Sequence, residues 1–205
     1  MQLFKLIALY YKRGYILPFR MDLIEEKELV ERARRDPEVF GKLYDQYYPR
    51  IFNYVLRRVA NIEIAQDITS EAFFKALKNL RQFHWRNVPF SSWLYRIATN
   101  QITDYFRKGK QEMFSLEEIS DSITPSNPSV ESEVLEAEEE LRRHEDFLLL
   151  HENISKLPIK YQDVITLRFF ENKQIKAIGE ILGKREGTIK SLLHRGLKKL
   201  KKLME

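Results

Sequence analysis

Apolar side chains recur every three to four residues from Leu23 almost to the end of the chain, with no sustained alternation of period two. That spacing winds onto one face of an α-helix and argues against strands. A first helix is predicted from about Leu23 to Arg35. It stops near Asp36-Pro37, because proline disfavours helical geometry in the residue before it. A second starts near Pro37 and carries Phe40, Leu43, Tyr44, Tyr47, Ile51, Tyr54, Val55 and Val59 at helical spacing. A third, from about Ile62 to Leu80, gathers Ile64, Ile68, Ala72, Phe73 and Ala76 on one side. The fourth runs from about Phe90 to Lys108, with Trp93, Leu94 and Ile97 read as core, as aromatic and aliphatic residues at this spacing usually are.

The pattern breaks after Lys110. Ser, Thr, Pro and acidic residues dominate as far as Val130, with SITPSNPS as the clearest interruption, and helical character returns over 131–150. Beyond it, Leu157-Pro158 opens a helix with Tyr161, Val164, Ile165, Leu167 and Phe169 facing inward. A shorter one carries Ile175, Ile178, Ile181 and Leu182. Gly183 falls where a tight turn is needed, and a long basic helix follows from Thr188 to Leu203. The expectation is an all-α chain of two small helical domains, 21–110 and 151–205. An acidic flexible linker, 111–150, joins them.

Charge sharpens this division. The net charge is +5, yet twelve acidic and two basic side chains lie between Glu112 and Asp146, so that stretch carries −10 and the remainder +15. A basic body interrupted by an acidic strip suits a polyanion-binding protein with a repelling segment, although a solvated linker beside ordinary basic surfaces has the same profile. A flexible stretch of about 35 residues reaches roughly 30–35 Å, near one turn of duplex DNA. Two DNA-binding modules could then occupy separated elements of one site.

Composition excludes several chemistries. With no Cys there are no disulfides, thiolate metal sites or Cys nucleophiles. His84, His144, His151 and His194 are scattered without metal-ligand spacing, and no Gly-rich phosphate loop is present, so neither a metal nor a cofactor is expected. Residues 1–20 contain a short apolar run broken by Lys5 and followed by Lys12 and Arg13, the wrong order for a signal peptide and too short to span a bilayer. They are read as a dispensable extension of a cytoplasmic protein without membrane insertion. A docked N-terminal helix is the alternative.

Two constellations point to nucleic acid. The first is a helix–turn–helix: a short helix, a turn with Gly183, then a helix with Ile189, Leu192, Leu193, Leu197 and Leu200 inward. Between Lys184 and Lys202 there are eight Lys or Arg against one Glu. Thr188, Lys190 and Ser191 at the start of that helix would meet base edges. His194, Arg195 and Lys198 follow on its outward face, where basic side chains would meet phosphates. A solvated basic helix is the bland alternative, which the preceding helix and turn make less favoured. The second constellation is aromatic: Phe83, His84, Trp85, Phe90, Trp93, Tyr95, Tyr105 and Phe106, interleaved with Arg81, Arg86, Arg96, Arg107, Lys108 and Lys110. Basic grooves with aromatic platforms hold unpaired strands by stacking. Arg96, Asn100, Thr103 and Arg107 recur at intervals of four, three and four, so they share one helix face. Trp85, in a loop, serves either the core or DNA.

These residues resemble a known family. QDITSEAFFKAL (66–77) followed by FSSWLYRIATNQITDYFRK (90–108) is similar to region 2 of the extracytoplasmic-function (ECF) group of RNA polymerase sigma factors. LPIKYQDVITLRFF (157–170) and IGEILGKREGTIKSLLHRGLKKLKKL (178–203) resemble region 4. The resemblance implies a non-enzymatic specificity subunit that binds core RNA polymerase and promoter DNA. It places Asp67, Glu71 and Phe74 on the polymerase clamp and the 81–90 loop with the next helix on the −10 element, with Asn100 at a family position near the base pocket; Trp85 in that loop and Arg96, Thr103 and Arg107 on the same helix face are assigned to the −10 element with it. Lys190, Ser191, His194 and Arg195 match recognition-helix positions for the −35 element, and Thr188 and Lys198 on the same helix are assigned to it with them. It further implies an anti-sigma factor as partner and an acidic linker threading the polymerase cleft. Two departures stand out. The turn 184–186 lacks the Ser or Asp common before the recognition helix. Leu192 stands where many members have Arg, which removes one phosphate contact. A free-standing helix–turn–helix repressor would explain residues 151–205 but leave 90–108 without a task. A nuclease would need clustered carboxylates outside the linker.

Overall fold

Local sequence chemistry starts each of the first three helices. The Asp22 N–H donates to the Glu25 carboxylate. Asp36 accepts from the Glu38 N–H at 2.9 Å with Pro37 at the first helical position, and Asn61 accepts from Ile64 N–H at 2.9 Å. Each satisfies amides that a helix start leaves without an internal partner. The structure, a computed structural model, describes residues 22–85, 89–113, 149–150 and 152–204. Helices α1 (Leu23–Ala33), α2 (Pro37–Val59), α3 (Ile62–Asn79) and α4 (Phe90–Met113) form the N-terminal unit, with a 3₁₀ turn at Leu80–Gln82. The C-terminal unit contains α5 (Ile159–Ile165), a π-helical turn (Thr166–Phe170), α6 (Ile175–Leu182) and α7 (Glu186–Leu203). Short helical stretches at 149–150 and 152–155 precede it. Among the described residues there is no strand.

The first core lies between α2, α3 and α4. Leu43, Ile51, Tyr54, Val55, Ala65, Ala72, Ala76, Phe90, Leu94, Ala98 and Ile102 are all buried there. The alanines let α3 approach its neighbours closely, and each large aliphatic side chain withdrawn from water contributes about 1.5–3 kcal/mol. Tyr44, expected inside, remains more than a third exposed, its ring 4.8 Å from Phe73 at the surface end of an aromatic ladder with Tyr48. The second core is built by Val164, Ile165, Leu167, Ile178, Ile189 and Leu200. Gly196 admits α5 to close range, since a Cβ there would sit 3.2 Å from Tyr161 and from Ile165.

Three boundaries differ from the pattern-based expectation. Helix α4 continues to Met113, past the expected end at Lys108 and into the segment read as linker. Helix α7 begins at Glu186 rather than Thr188. Phe170, rather than Phe169, is the buried member of its pair. The π turn explains this last shift, because its wider turn moves the inward position one residue along. The extension 1–20, most of the linker (114–148) and Arg86 lie outside the described residues.

The two units pack against each other, α6 on α4 and the π turn on α2. Glu171, beside the π turn, accepts hydrogen bonds from Tyr95 Oη at 2.6 Å and Arg57 Nη1 at 2.8 Å. Lys173 Nζ stands 4.3 Å from the centre of the Tyr95 ring. Burial pushes the Glu171 carboxyl above its ordinary range, an effect opposed chiefly by Arg57. Nearby, Arg58 Nη2 and Asp163 Oδ1 are 2.9 Å apart in an almost fully buried ion pair, although neither atom attains hydrogen-bond geometry.

Candidate nucleic-acid interface

Helix α4 has two covered sides and one open one. Phe90, Leu94, Ala98 and Ile102 lock it to the core, and Tyr95 turns toward Glu171. Inside the unit, Thr99 Oγ1 donates to the Tyr95 carbonyl at 2.7 Å and pairs with Tyr54 Oη at 2.9 Å, so the Tyr54 hydroxyl is the donor to Thr99. Arg96, Asn100, Thr103 and Arg107 emerge together on the open side, all exposed. Two of them have local partners: Thr103 Oγ1 donates to the Thr99 carbonyl at 2.9 Å, and Arg107 pairs with Asp104 at 3.0 Å. Arg96 reaches toward the C-terminal unit, its Nη2 within 3.7 Å of where a Cβ on Gly183 would lie.

Beside this face is an open pocket of about 350 Å³, lined by Lys75, Asn79, Gln82, Trp93, Ile97, Asn100 and Gln101. Trp93 and Ile97, expected in the core, are half-buried and form its apolar wall. Four side-chain amides surround an indole. Lys75 Nζ donates to Gln101 Oε1 at 2.9 Å and Asn79 Nδ2 to the Lys75 carbonyl at 2.8 Å, which orients two of those amides. Amides carry both donors and acceptors and the indole offers a stacking face, the chemistry that recognises an unpaired base. The sequence pattern singles out neither Gln101 nor, on the facing side of the pocket, Lys75, Asn79 and Gln82. The only trace of the last three there is the i, i+4 spacing of Glu71, Lys75 and Asn79 on α3, with Gln82 one turn on.

Trp85 is half-buried, its ring edge-on to Phe83 at 6.0 Å, and Phe83 also meets Phe90 and Trp93. Both roles left open for Trp85 are thus compatible with its place, packed on one side and open on the other. On the outer side of α3, Asp67, Glu71 and Phe74 are exposed and fall on one face, with the Phe74 ring 60% accessible and Leu77 continuing the strip. Glu71 is paired with Lys75 at 3.3 Å.

The helix–turn–helix is formed by α6 and α7. Gly183 takes the left-handed conformation (φ 63°) that closes α6, and the Lys184 N–H returns to the Gly179 carbonyl at 2.8 Å. Arg185 occupies the N-cap of α7 without a side-chain hydrogen bond, as the absence of Ser or Asp suggested. Ile189, Leu193 and Leu200 are buried, with Leu192 and Leu197 half-buried, so Leu192 takes part in packing. Thr188, Lys190, Ser191, His194, Arg195 and Lys198 are all exposed on the other face. Packing between the units leaves this face open. Among the described residues no cluster of His, Cys, Asp or Glu could hold a metal ion.

Comparison with known proteins agrees with this geometry. Residues 43–112 match the family described as Sigma-70 region 2, and residues 147–200 match Sigma-70, region 4. Over 184 residues the chain is 34% identical to the ECF RNA polymerase sigma factor SigW of Bacillus subtilis, covering 89% of this chain and 97% of that protein. The chain belongs to the ECF group of the sigma-70 family. The ECF RNA polymerase sigma factor BldN of Streptomyces coelicolor is likewise 34% identical, over 86% of this chain; the chain spans 65% of BldN's length. Two solved structures share the fold. CnrH, determined in complex with the cytosolic domain of CnrY, aligns with a TM-score of 0.62 at 17% identity, covering 87% of this chain and 96% of its own. RpoE of Bartonella quintana, determined with the anti-sigma factor NepR, gives 0.60 at 19%, over 80% and 96%. Sigma factors are DNA-binding regulators of transcription initiation, and this chain has both regions that such a subunit uses to recognise promoters. No helix among the described residues is long and apolar enough to cross a membrane.

Proposed function

We propose that this sigma factor divides promoter recognition among three exposed surfaces. Asp67, Glu71 and Phe74 on α3 meet core RNA polymerase. Arg96, Asn100, Thr103 and Arg107, with Trp85 and the amide-lined pocket, take the −10 element as it opens. Thr188, Lys190, Ser191, His194, Arg195 and Lys198 read the −35 duplex. The observation that carries this reading is the alignment of four polar side chains on the open face of α4, beside a pocket of four amides and an indole. A free-standing repressor has no use for such a surface. In this reading the protein acts in the cytoplasm and uses binding energy alone, with no catalysis, metal or consumed cofactor. Residues 1–20 are dispensable. The segment 111–150 links the domains 21–110 and 151–205 and threads the polymerase cleft. An anti-sigma factor is a partner by analogy with RpoE, solved with the anti-sigma factor NepR.

Run-off transcription from the DNA upstream of the protein's own gene, with and without core polymerase, tests the reading. Initiation at a defined start that needs both components supports it. Tight duplex binding by the protein alone, with no binding to core, would move it to a repressor. Within the same assay, Asn100→Ala is expected to slow open-complex formation about tenfold while duplex binding stays within twofold, since a lost hydrogen bond to an unpaired base is worth about 1–1.5 kcal/mol. Equal loss at both steps would remove Asn100 from base capture.

A further inference from the structure

Helix α1 lies outside the matched region 2 segment, yet Glu26 on it and Arg34 just beyond its end reach backbone atoms on either side of Trp85 in the chain. Glu26, in the first turn of α1, is 2% exposed. Its Oε1 accepts the backbone N–H of Ser91 at 3.2 Å, an amide in the first turn of α4, and also the hydroxyl of Tyr47. Arg34, just past the last turn of α1, donates through Nη2 to the Phe83 carbonyl, while its Nη1 is held by both carboxylate oxygens of Glu31 at 2.9 Å. The two ties fall on either side of Trp85 in the chain: Phe83 before it, Ser91 after it.

We propose that Glu26 and Arg34 are positioning residues for promoter opening, a paired clamp from α1 and its C-terminal end that fixes the Phe83 backbone, two residues before Trp85, and the start of α4 relative to each other. This rests on the assignment of the α4 face and Trp85 to the −10 element. A carboxylate at a helix N-terminus is electrostatically favourable, and it satisfies an amide with no helical partner. Burying it is nevertheless a costly way to hold two elements together, and a well-packed apolar residue would stabilise the fold as well or better. What the carboxylate adds is direction. Tyr47 orients Glu26, Glu26 orients the first turn of α4, and Arg34 fixes the Phe83 backbone, so the Phe83–Phe90–Trp93 cluster between them has a single arrangement. Extracting a base from the stack costs a few kcal/mol, and a stacking surface repays it only when held in place before the base arrives.

The test uses the full chain with core polymerase and the promoter defined by run-off. Arg34→Ala, Tyr47→Phe, Glu26→Gln and Glu26→Ala are compared for thermal midpoint, core binding, duplex promoter binding, and opening rate read by a 2-aminopurine base in the −10 element. Arg34→Ala is expected to lower the thermal midpoint slightly, to keep its core and duplex affinity, and to open about tenfold more slowly because the stacking surface is less well positioned. Glu26→Gln, which retains an acceptor oxygen, should open faster than Glu26→Ala, and Tyr47→Phe should fall between wild type and Glu26→Ala. Unchanged opening by Arg34→Ala and Tyr47→Phe overturns the clamp. So does a loss spread equally over core binding, duplex binding and opening, which marks a stabilising role only. Wild-type protein that binds core without opening the promoter overturns the −10 assignment, and the clamp with it.

Discussion

Gly179→Val is expected to destabilise the helix–turn–helix by about 3 kcal/mol, at the upper end of the cost of overfilling a packed site. A Cβ at this position would lie 2.7 Å from the carbonyl oxygen of Lys184. That atom belongs to the backbone of the turn, so no rotamer change can relieve the contact. The same turn is tied to the Gly179 carbonyl through Lys184 N–H at 2.8 Å, and displacing it breaks the closure of α6 as well. Valine adds β-branching to a helix interior and worsens the collision. Thermal unfolding and hydrogen exchange across 175–203 would report the loss, together with failure of −35 duplex binding. Gly187 supplies the control. It sits near the start of α7 with nothing within 4 Å of a Cβ, so Gly187→Ala should stabilise by up to about 1 kcal/mol through helix propensity. If both substitutions behaved alike, the close approach at Gly179 would have no energetic consequence.

Arg58→Met should be the second large effect, and it should separate the two units rather than unfold either. Removing one member of a buried ion pair costs about 3–5 kcal/mol, because the partner charge is left without compensation. Here the partner, Asp163, lies on the other unit, its side chain 11% exposed. Its carboxyl is already pushed up by burial, with Arg58 the main opposing influence. Once Arg58 is gone, Asp163 is rehydrated if α5 and the π turn lift away from α2. A larger radius by small-angle scattering, with little change in helix content, is the expected result. Arg58→Met combined with Asp163→Leu should restore the compact radius, since two apolar groups leave no charge behind. Failure of the double substitution to recover would show that the pair is not what holds this edge.

Acidity should act on the same contact. Both Asp163 and Glu171 have carboxyl groups raised above their ordinary values of 3.8 and 4.5, mainly by burial. The packed arrangement therefore binds protons more readily than the separated one. Its proton-linked stabilisation is complete below those ordinary values and is lost as pH rises through the raised ones. Replacing the two with Asn and Gln should flatten that part of the pH profile.

Much of the fold was legible because its determinants are local. Pro37 after Asp36 and the run of Phe40, Leu43, Tyr47, Ile51 and Tyr54 specify where α2 begins and which way it faces, without reference to any other element. The same holds for Arg96, Asn100, Thr103 and Arg107, and for the basic face of α7, since a common helix face follows from spacing alone. The π turn was not legible: nothing in TLRFF announces a wider turn, and a 3.6-residue period assigns the inward place to Phe169. The spacing of Trp93 and Ile97 is that of core residues. Both pack against the core on one side and form the wall of a pocket on the other, a division that spacing alone does not specify. Lys75, Asn79 and Gln82 complete that pocket from α3 and the 3₁₀ turn, and their convergence with Asn100 depends on how α3 crosses α4. The Glu171 cluster lies further from inference still, since Tyr95 and Arg57 reach it from 76 and 114 residues away.

The cluster where Glu171 meets Tyr95 and Arg57 also bears on how much protein is needed to occupy a promoter. Any partner that binds only the separated units meets a population in which a fraction is competent, and its apparent dissociation constant rises by the inverse of that fraction. If closing is favoured by about 1.4 kcal/mol, the factor is tenfold. Substitutions at this contact would then shift promoter occupancy at a given protein level without touching a DNA-facing side chain. On the proposed assignment, the sensitivity of the response and the sequence it reads would be set by different residues.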